Sequence, residues 1–330
     1  MSVYCVAIVL VKMGKAARLK RERREANERD DFEVKPIDKI RALIARIRDV
    51  DLRTVTVDEL VELLTPIYAG WIVRAPVFDP GLSIFRGRGL DIRPKTLAEV
   101  SYPPPEVTTQ GRANRRGSPL FYGSAAREPI YFELGLSVGD RMAIVQYKTT
   151  AKLLANRIGY TRATFEQLQA NREIPDYGNL DLEAYRRSDA LIDDFLSEVF
   201  CQQHDTDEDW RYNLSAAIAE KMIPNDFFGG LIYPTVPMWG NADNFALKPS
   251  FVDASITPVF AEYVEVTEIH EKSFAVNNLD EARSFSEDGT INWLGHPAQW
   301  TLSGGEGVIC EAVEGRWVAR NLRGEIVEPD

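Results

Sequence analysis

The hydrophobic period of this chain changes part-way along, and that change limits what it can fold into. Between residues 36 and 50 the apolar side chains Ile37, Ile40, Leu43, Ile44, Ile47 and Val50 recur at helical spacing, which predicts an amphipathic helix. Thr56 with Glu59 three residues on predicts a capping-box start to a second helix over 57–64, ended by Pro66. From residue 82 the pattern is mixed. Residues 142–147, 230–233 and 259–269 read as strands, and 180–203 and 212–222 as helices. Ser124 is positioned to cap a short helix running to Leu134, which tolerates Pro129 only in its first turn. Trp293, Trp300 and Trp317 lie among glycine-rich turns in residues 280–330, a pattern that reads as a small antiparallel β addition. The reading is an α+β protein with an N-terminal helical region over 1–75, a central domain over 76–270 and a β extension over 271–330.

A chain of 330 residues with 45% hydrophobic content is long enough to bury a sizeable core. Its three cysteines, Cys5, Cys201 and Cys310, are far apart and in no metal-ligand spacing. They argue for a reducing compartment, with the cytoplasm as the default, and against a disulfide framework. Residues 2–11 form an apolar run too short to span a bilayer, with positive charge after it and no small-residue cleavage site. Met13 resembles a natural start, so residues 1–12 are read either as an upstream extension or as part of the chain. Residues 15–29 form a charged helix candidate. The net charge of −11 disfavours broad attraction to nucleic acid or anionic lipid. Two segments run against it: residues 12–29 and 86–127 each carry eight basic and three acidic residues. Within the second, Arg88, Arg93, Arg115, Arg116 and Arg127 read one by one as a solvated face. Taken together they could form a local basic pocket for a pyrophosphate.

Other chemistry is poorly represented. There is no glycine-rich phosphate loop and no His-Glu-x-x-His. Asp205-Thr206-Asp207-Glu208-Asp209 begins like a calcium loop, but Trp210 takes the glycine position and Ala216 the terminal glutamate. A solvated acidic loop is the better reading. His204, His270 and His296 are too scattered for a metal site, and no metal is expected.

Against that background one region concentrates useful side chains. Gly111-Arg112-Ala113-Asn114 is followed by Phe121-Tyr122-Gly123-Ser124 and then by Tyr131-Phe132-Glu133-Leu134. An arginine fork can grip a phosphate, a tyrosine offers a flat face to an aromatic ring, and a glutamate can stabilise a cationic ribosyl centre. Upstream stands Ser83-Ile84-Phe85-Arg86, with Glu99-Val100-Ser101-Tyr102-Pro103-Pro104 leading into the Gly-Arg-x-Asn segment. Downstream stand Gly229-Gly230-Leu231-Ile232-Tyr233-Pro234-Thr235 and Asn244-Phe245-Ala246-Leu247. Over residues 82–268 these motifs resemble the RES-domain family, named for an arginine, a glutamate and a serine. Characterised members include NAD-degrading toxins with a core like that of ADP-ribosyltransferases. The family serine is Thr235 here, which keeps a hydroxyl and adds a methyl that stiffens the side chain.

The resemblance implies an ADP-ribosyltransferase-like split β core with surrounding helices and NAD as substrate rather than as retained cofactor. It implies that Glu133 stabilises the ribosyl centre, that Arg112 holds the pyrophosphate or ribose side and that Tyr122 lines the nicotinamide pocket. Arg86 becomes a second phosphate ligand, Asn114 fixes the Arg112 loop, Thr235 donates its hydroxyl to substrate or glutamate, and Asn244 belongs to the binding set. Partners implied are a helix-turn-helix antitoxin and a second copy of the chain, with no membrane and no direct nucleic acid. Without the resemblance, Arg112 and Glu133 read equally well as a structural ion pair, Tyr122 as a core aromatic and Thr235 as a turn residue. Three functions stay open: an NAD-cleaving enzyme with water or phosphate as acceptor, an ADP-ribosyltransferase acting on a macromolecule, and a catalytically silent interaction protein.

Overall fold

The computed structural model describes residues 35–69, 71, 75–175, 187–203, 208–223, 227–270, 273–296, 301–304, 308–313 and 316–321. The charged helix candidate over 15–29, the alternative start at Met13, His204 and Trp300 lie outside the described residues. Mixed α+β architecture is what these residues form, with seven α-helices among them. They divide into two compact units. The first takes in residues up to 82, 102–122 and 149–255; the second takes in 83–101, 123–148 and 256 onward.

The first unit begins with α1 (Ile37–Arg48) and α2 (Val57–Tyr68). Helix α1 buries Ile40, Ile44 and Ile47, one stripe of the predicted face, and carries Asp38 in its first turn and Arg46 and Arg48 in its last, the order that suits the helix dipole. Helix α2 has the predicted capping box between Thr56 and Glu59. It does not stop before Pro66 but runs a further turn to Tyr68. Pro66 removes a donor only toward Glu62 on the exposed side, where the freed carbonyl is open to solvent, while Ile67 on the inner side is fully buried and holds the extra turn in place.

Strands β1 (Val77–Phe78), β5 (Leu153–Arg157), β6 (Gly230–Pro234) and β7 (Asp243–Leu247) lie side by side in that order. The β5–β6 pair is parallel and its neighbours are antiparallel. Helices α5 (Arg187–Phe200) and α6 (Asn213–Met222) join α1 and α2 in one apolar core. In it Ile40, Ile44, Leu60, Leu64 and Ile67 pack with Phe195, Phe200, Leu214, Ile218, Leu231 and Ala246. The part of the helix predicted over 180–186 lies outside the described residues. Two short helices, α4 (Arg162–Leu168) and α7 (Pro249–Ser255), complete the unit.

In the second unit β2 (Ser83–Gly89), β4 (Arg141–Thr149), β8 (Ile256–His270), β9 (Ser273–Phe285) and β10 (Ile291–Trp293) follow one another across the sheet. Strand β3 (Phe121–Ser124) enters this unit at its end, where Ser124 pairs with Phe85. Ser124 is therefore a buried strand residue and does not cap the helix that follows. Helix α3 (Glu128–Glu133) begins later, with Arg127 at the cap position and no side-chain cap bond, and Pro129 lies in its first turn as the sequence allows. The C-terminal residues add a separate antiparallel sheet of β11 (Thr301–Gly304), β12 (Val308–Val313) and β13 (Arg316–Asn321).

Because α2 shares its core with α5 and α6, Leu64→Ala should destabilise the first unit as a whole by about 2–5 kcal/mol. Urea unfolding followed by far-ultraviolet dichroism and by tryptophan fluorescence should shift together. A separate early transition confined to helical signal would mean that α1 and α2 are energetically independent.

Candidate functional site

Arg112, Asn114 and Tyr122 form one hydrogen-bonded loop in the first unit. The Gly111 N–H donates to the Asn114 carbonyl at 3.0 Å, closing a tight bridge. The Tyr122 hydroxyl accepts from the Ala113 N–H at 2.9 Å and donates to Asn114 Oδ1 at 2.7 Å. Asn114 Nδ2 then donates to the carbonyls of Thr109 and Arg115, both at 2.9 Å. Ala113 and Leu120 anchor the loop in the apolar core, and Tyr122 packs against it. Asn114 thus fixes the loop that carries Arg112.

Arg112 itself reaches the end of α5. Its NH1 donates to the carbonyl of Phe200 and, at 2.9 Å, to that of Gln202, while the guanidinium sits 5.8 Å from the Tyr212 ring centroid. These carbonyls are among the acceptors that a helix end leaves without intrahelical donors. With both NH1 hydrogens engaged, a bidentate grip on an anion would have to use the Nε–NH2 edge.

Thr235 and Asn244 lie close by in chain pairing. Asn244 is buried on β7 opposite Tyr233, and the Thr235 N–H donates to the Ala242 carbonyl at 2.9 Å just past the end of β6. Thr235 is 0% exposed, and its hydroxyl has no hydrogen-bond partner among the described residues. In this arrangement the hydroxyl does not reach solvent. Beside it is a network that the motifs did not single out. Asp243 accepts from the Tyr160 hydroxyl at 2.8 Å and from both NH groups of Arg172. Arg172 also donates to the Gly240 and Ala242 carbonyls at 2.6 and 3.0 Å. Arg172 holds the 235–242 turn, in which Trp239 adopts a left-handed φ of +52°.

Arg86 and Glu133 belong to the second unit. Arg86 Nε and NH2 donate to the Val100 and Ser101 carbonyls at 2.6 and 3.0 Å, so one edge of its fork braces the segment after the 3₁₀ turn at Leu97–Glu99. Glu133 is the last residue of α3 and is exposed. The helix is seated by apolar packing. Ile130 and Tyr131 bury against Met142, Ile144 and Val264. Phe132 meets the Phe274 ring edge-on at 5.1 Å. Gly87 on β2 supplies the clearance, because a Cβ there would collide with Ile130 Cγ2.

A charged cluster lies under the start of this helix. Glu262 on β8 is 3% exposed and pairs with Arg127 Nε at 2.8 Å. Arg127 also donates to the Tyr131 hydroxyl, at 2.8 Å from NH2 and 3.2 Å from Nε. Directly across the strand pair from Glu262 is Glu281, 0% exposed, which accepts from Arg283 Nε at 2.9 Å. Burial pushes the Glu262 carboxyl up to about 7, Arg127 opposes that rise and Glu281 adds to it. Burial also pushes the Tyr131 hydroxyl up to about 12. Neither Glu262 nor Glu281 belongs to a recognised motif. The available signal was a glutamate inside an otherwise apolar strand, Ala261-Glu262-Tyr263-Val264.

The basic excess of residues 86–127 is largely compensated from elsewhere in the chain. Arg115 pairs with Asp58 and Glu220 at 2.8 and 2.6 Å, Arg116 with Asp209, Arg93 with Asp280 and Arg127 with Glu262. Arg88 donates to the Glu99 carbonyl. A solvated face describes these arginines incompletely, since their partners are distant in sequence. Of the acidic segment that begins like a calcium loop, Asp205 to Asp207 lie outside the described residues, and Glu208 pairs with Arg211. No group of three or more potential metal ligands occurs among the described residues, and no helix among them is long and apolar enough to cross a membrane. Protein-family models, curated proteins and solved structures offer no match to this chain.

Two outcomes follow from this geometry. Because Glu262 holds its proton more tightly folded than unfolded, its contribution to stability is fully present below the usual glutamate pKa. That contribution is lost as pH rises toward 7. The stability of wild type relative to Glu262→Gln should therefore decline between about pH 4.5 and 7, with a slope on the order of 1 kcal/mol per pH unit, and level off above. Parallel stability curves would rule this out. Thr235→Val removes an unbonded buried hydroxyl and keeps the branched shape, so it should be neutral or stabilising by up to about 1 kcal/mol in thermal unfolding. A marked loss of stability would mean that the hydroxyl is hydrogen-bonded.

Proposed function

We propose that this chain cleaves the nicotinamide–ribose bond of NAD, with water or phosphate as acceptor, in the manner of the RES-domain toxins it resembles. The observation that carries the reading is that Asn114 and Tyr122 hydrogen-bond to each other and fix the loop on which Arg112 sits. The exposure of Glu133 at the end of a seated helix is a second support.

The chemistry suits a chain with few catalytic groups. Breaking an ordinary glycosidic bond takes one carboxyl to protonate a poor leaving group and another to act at the sugar. Nicotinamide is cationic in NAD and leaves neutral, so no proton has to be delivered. The enzyme has to hold the substrate and stabilise the oxocarbenium-like ribose as it forms. In this reading Glu133 accepts a hydrogen bond from the nicotinamide ribose and faces the developing charge. Arg112 meets the pyrophosphate or ribose side through its Nε–NH2 edge, and Tyr122 lines the nicotinamide side of the loop. Arg86, with one edge of its fork on backbone carbonyls, contributes charge rather than a second fork. Thr235 and Asn244 are both buried, so in this reading they shape the binding set from within the first unit. The proposed setting is the cytoplasm, with a helix-turn-helix antitoxin as neutralising partner and a second copy of the chain in a homodimer. An ADP-ribosyltransferase would use the same groups and differ only in its acceptor.

Incubating the purified chain with NAD, with and without phosphate, and separating the products distinguishes nicotinamide plus ADP-ribose from a phosphorolytic product and from protein modification. Glu133→Gln should lower the turnover of NAD by at least about tenfold, equivalent to about 1.4 kcal/mol of barrier, and change binding less. Undiminished NAD consumption by a folded Glu133→Gln protein would remove Glu133 from the mechanism.

A further inference from the structure

Helix α3 has six residues and no side-chain cap at its start, so its place is set from outside. Its hydrophobic side rests on the sheet of the second unit, and its polar side is tied down near its start. There the Arg127 guanidinium joins the Tyr131 hydroxyl on the helix to the buried Glu262 carboxylate on β8. The groups facing Glu262 come from two elements. Arg127, Tyr131 and Glu128 lie at the start of α3, and Glu281 with its partner Arg283 lies on β9. One Glu281 oxygen is buried and has no hydrogen-bond partner, so the second carboxyl adds negative charge at close range without taking Arg127 for itself.

We infer that the Arg127–Glu262 pair is a pH-responsive positioning device for Glu133, holding α3 on the sheet when Glu262 is ionised and releasing its polar side when Glu262 is protonated. The inference rests on the NAD-cleaving reading in so far as it assigns Glu133 to the reaction. Ionised Glu262 neutralises Arg127 and keeps it over Tyr131. Once protonated, Glu262 no longer neutralises the arginine. The Arg127 side chain is already 41% exposed, so it has a short path into water, and leaving takes its bond to Tyr131 with it. Burial and Glu281 place this exchange near pH 7 rather than in the ordinary carboxylate range. Glu262 touches no reacting atom in this scheme; it acts through the seat of the helix.

The test uses the full chain and two readouts. The first is hydrogen exchange of the α3 amides between pH 6 and 8, corrected for the intrinsic exchange rate. Wild type should lose protection several-fold at the lower pH, and Glu262→Gln should be low and flat. Tyr131→Phe, which keeps the buried ring and breaks the link, should flatten the response as well and serves if the glutamine variant does not fold. The second readout is NAD cleavage over the same range. In wild type kcat should fall on the acid side with KM little changed, and in the variants kcat should be about tenfold lower at pH 8 and independent of this ionisation. Identical exchange responses in wild type and variants overturn the inference. So do superimposable rate profiles, even if exchange differs, because the seat would then not govern Glu133. If wild type cleaves no NAD at any pH, the functional reading falls, and the exchange response alone decides whether the pair seats the helix.

Discussion

Irregular backbone can be buried only where its carbonyls find donors, and in both units of this protein arginine side chains supply many of them. Arg112 closes the end of α5, Arg172 holds the turn between β6 and β7, and Arg86 and Arg88 brace the segment around Leu97–Glu99. A guanidinium suits this work because its five donors lie in one plane and it stays charged throughout the accessible pH range. The end of α5, the turn after β6 and the segment around Leu97–Glu99 depend on donors supplied from elsewhere in the chain, whereas the loop carrying Arg112 is held by its own Asn114 and by Tyr122.

That dependence explains where the sequence was legible. The stripe of α1, the capping box of α2 and the short apolar strand β6 rest on local spacing, and local spacing is what a sequence displays. The end of α2 was misjudged because a buried Ile67 outweighed the cost of Pro66. Ser124 was misjudged because its strand pairing with Phe85 lies outside any local window. The concentration of arginines in residues 86–127 resembles a phosphate pocket in sequence, yet most of those charges meet carboxylates or carbonyls. Several of these partners lie more than fifty residues away. Pairing at that range leaves no trace in composition.

The candidate site was legible as a set of residues, less so as an arrangement. Gly111, Arg112, Asn114 and Tyr122 could be quoted together from the sequence, and the fold does join them. The helical position of Glu133 followed from the pattern around Pro129. The hydroxyl of Thr235 carried over from a family serine, but the depth at which it lies could not be read from its neighbours. The Glu262–Glu281 pair was invisible, because two glutamates nineteen residues apart come together only through the register of β8 and β9.

The brevity of α3 has a consequence for how such a motif travels between proteins. A helix of little more than one turn lies far below the length at which helix formation sustains itself in water. A peptide bearing Tyr131-Phe132-Glu133 would have no helical memory of its own. What would need to be transplanted along with the glutamate is the notch at Gly87, the Phe274 ring and the buried carboxylate on the opposing strand. The evolutionary unit here is therefore a patch of sheet with a helix pressed into it, and a matching string of letters on another chain carries the chemistry only if that patch comes with it.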